Sequence, residues 1–464
     1  MKFLATLGVI LLVALIGDRA DAQTKTVQFQ VNPQKVVGAP WVGFGADMNP
    51  YLFCRPNQID EKSAADLEAK VMALAPQHVR IFFLNSWASG VGDSYVSMGD
   101  PRTYESFLRT ARIAQKAGAT INLTLWYDPA HWKDPAESAH HFAFNLTRLL
   151  DAEHLDAIRY VTIQNEPDAY PKPSEPNKIT LPKYVQAYQV FDDLLRKWGV
   201  RKRVQIIAGD MVADQQAIWV KYLGSKFANI ADGYSIHAYW DYWDAPKILT
   251  RLNTTEQEFN SLPANQQKPL YITEFGTRGH PSHDIDPGTY EDGRPIARVP
   301  IQTMLNAWFM IKAVHDGYVA AVQWEMYDAR YDVPMHYGLL GEGKDGWPIK
   351  PGYELMKLLT HTCQPGWRAV ELNGDTTHIT AAAMKSADDQ ITIWAVNHGN
   401  EKSIVTFSGL RPGEEFQLYY WNAHGQGELS PAQIVKIEKN GQITAAIPFH
   451  AVIAITGLIP KIQP

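Results

Sequence analysis

A chain of 464 residues exceeds one ordinary domain and suits two. Hydrophobic residues at 45% and charged residues at 20% provide for a large core and exclude wholesale disorder. The formal charge of −6 excludes a nucleic-acid binder, which needs a basic face for phosphates, and offers no attraction to an anionic membrane surface. The 14 Trp and 21 Tyr supply core packing and, beyond it, flat amphipathic rings suited to half-apolar ligands such as sugars.

At the N-terminus, Lys2 precedes the apolar run "FLATLGVILLVALIG" and then "DRADAQ". A charged start, an apolar run short for a membrane span and an A-x-A site predict a secretory signal peptide over residues 1–22, cut after Ala22. The protein is therefore expected outside the cytoplasm and, once cut, free of a membrane. No cysteine follows the run to carry a lipid. The next segment, "KTVQFQVNPQKVV" (Lys25–Val37), alternates as a strand does. It lies within an N-terminal piece, residues 23–37, expected to pair with strands at the far end of the chain.

Residues 38–362 alternate short apolar runs with longer amphipathic stretches. The strands are expected at Val42–Asp47, His78–Phe83, Thr120–Trp126, Tyr160–Gln164, Val204–Asp210, Gly233–Tyr239, Leu270–Phe275 and Ala320–Met326. Helical stretches such as "EKSAADLEAKVMALA" and "PIQTMLNAWFMIKAVHDG" lie between them. Near-continuous apolar strands separated by helices imply parallel strands covered on both sides. Eight such units in roughly 320 residues predict an α/β fold, a (β/α)8 TIM barrel. The rival, a doubly wound open sheet, lacks the glycine-rich phosphate turn after a strand.

From Cys363 onward the helical patterns stop. Short runs such as "HITAAAM", "QITIWAV", "KSIVTF", "FQLYYW", "QIVKIE" and "HAVIAI" are divided by turns such as "NHGN", "RPGE" and "KNG". Residues 363–464 are therefore expected to form an all-β sandwich that serves as a structural companion to the barrel. The two cysteines, Cys54 after the first strand and Cys363 after the last helix, fall at opposite ends of such a barrel and are expected as free thiols.

Working residues of a barrel sit at the C-terminal ends of its strands. Those ends supply Asp47, Trp126, Asn165, Glu166, Asp210, His237, Tyr239, Glu274 and Trp324, with Arg80 inside the second strand. Glu166, in "QNEP", and Glu274, in "ITEFG", end strands four and seven on different walls of one mouth. Either glutamate alone is as well explained as a strand end or helix cap. Together they meet the demand of glycoside hydrolysis, in which one carboxylic acid protonates the leaving oxygen and one carboxylate attacks or stabilises the anomeric carbon.

The motifs "TIQNEPD", "SIHAYW" and "YITEFG" resemble the clan of retaining β-glycosidases built on (β/α)8 barrels. With "VGFGADM" and the terminal sandwich, the chain looks most like glycoside hydrolase family 30, with families 39 and 5 and the arabinofuranosidase- and xylosidase-like members as close alternatives. The resemblance implies Glu166 as acid/base and Glu274 as nucleophile, in a double displacement through a covalent glycosyl-enzyme. It implies Asn165 as the ligand of the sugar 2-hydroxyl and Arg80 as the partner that keeps the nucleophile ionised. It also implies a strand-six group, His237 or Tyr239, bonded to the nucleophile, and Trp324 as the floor under the attacked sugar. Asp47 is expected at the substrate, though Asp47 and Asp210 are equally read as turn caps. Trp126, Trp240 and Trp243 offer further sugar-stacking surfaces. Arg278, His280 and His283, in the long loop Gly276–Arg298, suit acidic or branched decorations or simply solvent.

No cofactor and no metal are expected, and the partner implied is a carbohydrate. A metal-dependent barrel hydrolase would need clustered His and Asp ligands at strand ends, which "VGFGAD" does not offer. A carbohydrate-binding barrel without catalysis is the other alternative, disfavoured by the presence of both glutamates. Asn122, Asn145 and Asn253 stand in N-x-[ST] sequons, Asn122 within an expected strand.

Overall fold

The computed structural model describes residues 25–89, 100–126, 134–168, 181–212, 216–241, 246–278, 300–331, 336–423, 427 and 429–458. The expected signal peptide lies outside them, as do Trp243, His280 and His283 and the side chain of Arg278.

In chain order, β1 (Lys25–Val37) and β2 (Gly43–Ala46) lead to α1 (Glu61–Leu74), β3 (His78–Phe83), α2 (Thr103–Lys116), β4 (Thr120–Leu125), α3 (Pro135–Asp151) and β5 (Ile158–Thr162). Then come α4 (Leu181–Lys197), β6 (Gln205–Met211), α5 (Gln216–Phe227), β7 (Gly233–Asp241), α6 (Pro246–Ser261), β8 (Leu270–Arg278), α7 (Pro300–His315), β9 (Ala320–Gln323) and α8 (Pro351–Thr362). The local signals are ordinary ones. Asp60 caps α1 by accepting from Ser63 N at 2.7 Å, and Asp134 caps α3 ahead of a proline in its first turn.

The eight parallel strands run in the order β2-β9-β8-β7-β6-β5-β4-β3, and a parallel bridge between Asp47 and Arg80 joins the two ends. That bridge closes the expected TIM barrel. Closure needs a glycine at 45, because a Cβ there would meet the His78 carbonyl oxygen at 1.8 Å. Arg80 therefore sits at the seam, with its backbone and its side chain both committed to the barrel interior.

The C-terminal strands are β10 (Arg368–Gly374), β11 (Ile379–Lys385), β12 (Ile391–Asn397), β13 (Ser403–Ser408), β14 (Glu415–Asn422), β15 (Gln433–Lys436), β16 (Ile443–Ile447) and β17 (Ala451–Thr456). They form one sheet in the order β15-β14-β17-β12-β11-β10-β1-β13-β16, with β1 antiparallel to β10 and parallel to β13. Strands β10 and β16 were not among the expected runs: "RAVELNG" and "ITAAI" are poor in aromatic residues and carry turn-forming or small side chains.

Alternation along the central strands separates two apolar faces rather than a wet and a dry one. Ala382, Met384, Trp394, Val396, Val452 and Ala454 join the barrel's core, while Ala381, Ala383, Ile393, Ala395, Ile453 and Ile455 form a core of their own. Barrel and sheet dock through α7 and α8. Trp394 Nε1 donates to Thr362 Oγ1 at 2.8 Å, the Trp308 ring stacks on His398 at 4.0 Å, and His315 Nδ1 donates to the Ala381 carbonyl at 3.1 Å. Cys54 and Cys363 are buried free thiols. Among the described residues, no helix is long and apolar enough to cross a membrane.

Candidate active site

Strand β5 ends at Thr162, and the chain turns through Gln164, Asn165 and Glu166, whose φ of +43° aims the acid away from the strand line. Glu274 lies within β8, paired in register with His237 of β7, and Tyr239 pairs with Gly276 two residues on. A bulge between Ile236 and His237 sets this register. One ligating atom from each of Glu166, His237 and Glu274 lies within 4.8 Å of the others.

Arg80, with no exposed surface, is the hub beneath them. Its Nη1 donates to Glu274 Oε2 at 2.5 Å, Nη2 donates to Asn165 Oδ1 at 2.5 Å and to Asp210 Oδ2 at 3.0 Å, and Nε donates to Thr124 Oγ1 at 3.0 Å. Tyr239 donates its hydroxyl to Glu274 Oε1, so both oxygens of that carboxylate are held. Glu166 accepts from His237 Nδ1 at 3.0 Å. His237 Nε2 faces Asp210 Oδ2 at 3.5 Å. Asp210 Oδ1 is in turn bonded by Ser235 Oγ at 2.6 Å and Thr273 Oγ1 at 2.5 Å.

These neighbours push the titrating groups apart. Burial raises the Glu166 carboxyl, a shift that the His237 hydrogen bond reduces and the Glu274 charge reinforces. Burial opposes a charge on His237, but Glu274 and Asp210 outweigh it and lift the imidazole to about 10. Asp210 is held below the usual carboxylate range: burial works against its charge, and Arg80 and His237 overcome it. Asp47 goes the other way. Burial raises it to about 8 despite Arg80 at 3.6 Å, so at neutral pH it is a carboxylic acid.

Glu166, His237 and Glu274 are also the group among the described residues with potential metal-ligand spacing. Each ring nitrogen of His237 faces a carboxyl, Nδ1 bonding Glu166 at 3.0 Å and Nε2 standing 3.5 Å from Asp210.

Aromatic rings form one side of the mouth. Trp324 stacks on Tyr331 at 5.4 Å, and Trp126 stacks on Phe82 at 4.7 Å and meets Tyr331 edge-on. Both tryptophans are partly exposed, unlike Phe82 and Tyr331.

The structure thus brings together Glu166, Glu274, Asn165, Arg80, His237, Tyr239 and Asp210, with Trp324 and Trp126 beside them. Three sequence expectations change. Asp47 was expected at the substrate, but it has no exposed surface and lies 3.6 Å from Arg80. Arg80 pairs with Glu274, and His237 bonds Glu166 at 3.0 Å and stands 3.9 Å from Glu274. Among the described residues, the side chains of Asp47 and Asp210 bond to side chains of the site and cap no turn. Trp240 is no stacking surface, since it is fully buried against Phe275 and Phe309 on the outer side of the strand. Of the sequons, Asn122 and Asn145 are buried, and Asn253 is exposed on α6.

Sequence reading missed Ser235, Thr273 and Tyr331. Ser235 shares the period-2 face of His237 and Tyr239, a signal that was available. Tyr331, which reaches Asp47 Oδ1 at 3.4 Å, follows the last strand and carried no such signal.

No family model matches this sequence, and no curated protein matches it. Solved structures do match its fold. The glycoside hydrolase family 30 subfamily 8 xylanase Xyn30A from Clostridium acetobutylicum aligns at 15% identity with a TM-score of 0.63, covering 92% of this chain and 99% of that one. The catalytic domain of the family 30 xylanase C from Talaromyces cellulolyticus aligns at 12% identity and 0.66, over 92% and 99%. The alpha-L-arabinofuranosidase from Thermotoga maritima aligns at 13% identity and 0.66, over 93% and 99%. Over nearly its whole length, this chain shares the barrel-and-sheet fold of those hydrolases.

Proposed function

We propose that the protein is a secreted glycoside hydrolase that cleaves a β-glycosidic bond of a poly- or oligosaccharide with retention of configuration. The carrying observation is the approach of Glu166 and Glu274, with carboxylate oxygens within 4.8 Å of each other. Retaining enzymes hold their carboxyls roughly 5 Å apart, whereas inverting enzymes need room for a water between them.

The unequal surroundings support this division of roles. Glu274, gripped by Arg80 and Tyr239, is the nucleophile; its oxygen bonds to the anomeric carbon as the glycosidic C–O bond breaks. Glu166, raised by burial, gives its proton to the departing oxygen. In the second half, Glu166 takes a proton from water, the water oxygen bonds to the anomeric carbon, and the Glu274 carboxylate leaves. His237 orients Glu166, Asn165 is placed to meet a sugar hydroxyl, and Trp324 offers a ring face. Both acid and nucleophile are side chains of this chain, so the chemistry requires no cofactor.

The names of the xylanase and arabinofuranosidase neighbours make pentose-containing substrates the first to try. The test is hydrolysis of a panel of aryl glycosides and polysaccharides, with the first-formed anomer followed by proton NMR. A retained anomer is expected. An inverted one contradicts the mechanism.

A further inference from the structure

We infer that Tyr184 and Tyr188, on α4 outside the barrel, are positioning residues that set the backbone carrying Glu166 and Asp210; their effect on turnover rests on the glycosidase reading above. Strands β5 and β6 pair only at Tyr160 with Gln205 and Val161 with Ile206. Past that point the ladder stops, and the β6 register against β7 shifts between Ala208 and Met211. The shift holds Gly209 at φ +144° and Asp210 at φ +57°. A Cβ at 209 would meet the Ser235 carbonyl oxygen at 2.1 Å, so this bulge requires a glycine.

The two tyrosines fill the opened seam. Residues four apart on a helix share a face, and here both rings are fully buried, 4.9 Å apart and packed on Phe227. Tyr188 Oη accepts from Ile163 N at 3.3 Å and donates to the Ile207 carbonyl at 2.9 Å, replacing the missing β5–β6 rung. Tyr184 Oη accepts from Gly209 N at 3.0 Å and shares its single proton between the Gly209 carbonyl at 3.2 Å and Tyr188 Oη at 3.3 Å. Buried backbone groups that lose a ladder partner must find another. Ile163 stands three residues before Glu166, and Gly209 immediately before Asp210. Asp210 then fixes Arg80 and His237, and through them both glutamates.

The test compares Y184F and Y188F with the control Y234F, whose lost hydroxyl bonds Gln266 O at 3.1 Å, away from the seam. Each change keeps the ring and removes one oxygen. For Y184F and Y188F we expect faster amide exchange in peptides spanning 160–166 and 206–211, read by mass spectrometry. On an aryl glycoside, kcat should fall on the order of tenfold to a hundredfold with KM little changed, the signature of misplaced catalytic groups rather than lost binding. Y234F should leave kcat and exchange in those peptides at wild-type values. Folded Y184F and Y188F proteins with wild-type exchange there overturn the inference, as does wild-type kcat. Should Y188F fail to fold, Y184F carries the test, since the Tyr184 oxygen bonds both the N–H and the carbonyl of Gly209 in the bulge. If the wild type hydrolyses no glycoside, the glycosidase reading fails, and the exchange measurement still decides whether the tyrosines hold the seam.

Discussion

Arg80 Nη1 donates to Glu274 Oε2 at 2.5 Å, while Glu166 takes its hydrogen bond from His237. A guanidinium and a tyrosine hydroxyl hold the two oxygens of Glu274, while burial favours a proton at Glu166. Glu274→Gln should therefore lower kcat on the order of 10⁴-fold or more on every substrate. Glu166→Gln should cost about 10²- to 10⁴-fold on a substrate with a poor leaving group. With a good aryl leaving group, which needs no proton, bond cleavage should be nearly unaffected in the burst phase.

Arg80→Lys tests the hub. A lysine ammonium cannot reach Glu274, Asn165, Asp210 and Thr124 from one rigid plane as the guanidinium does. Because Arg80 is fully buried among carboxylates, the variant should lose about 3–5 kcal/mol of stability, together with activity, in urea unfolding and steady-state assays.

Stability should fall as the solution becomes alkaline. The folded-state value of His237, about 10, exceeds its ordinary 6.5, so its contribution is complete below that ordinary value and lost as pH rises through about 10. Asp47 acts in the same direction, from its ordinary 3.8 to about 8, because the folded protein resists giving up that proton. Asp47→Asn removes the second contribution. Compared by urea unfolding at pH 5 and pH 9, the variant should gain on the wild type at the higher pH; an unchanged difference would show that Asp47 is already ionised in the folded protein.

Trp394 tests the docking of the two domains. It is fully buried, bonds Thr362 at the end of α8 and meets Phe44 of β2 edge-on at 5.8 Å. Trp394→Ala should cost about 3–5 kcal/mol. Calorimetry should show the barrel and sheet transitions moving down together, because the cavity lies in the core they share.

The glutamates were legible because strand ends are legible: a short apolar run stops, and in a parallel barrel its C-terminal end faces the mouth. Trp240 was misread although the same rule was at hand, since Tyr239 points inward and its neighbour must point out. The bulge at Gly209 and Asp210 was not legible. Nothing in "AGDM" announces a lost rung, and the hydroxyls that replace it come from a helix some 20 residues earlier in the chain. The roles of Arg80 and Asp47 likewise depend on how the barrel closes, which is a property of eight strands together.

The most direct test of the central claim is the intact mass of Glu166→Gln after mixing with an aryl glycoside that bears a good leaving group. Lacking the base for the second step, the variant should accumulate a covalent glycosyl-enzyme, and peptide mapping should place the added mass on Glu274. An adduct on any other residue, or Glu274→Gln that still turns over at the wild-type rate, would contradict the account.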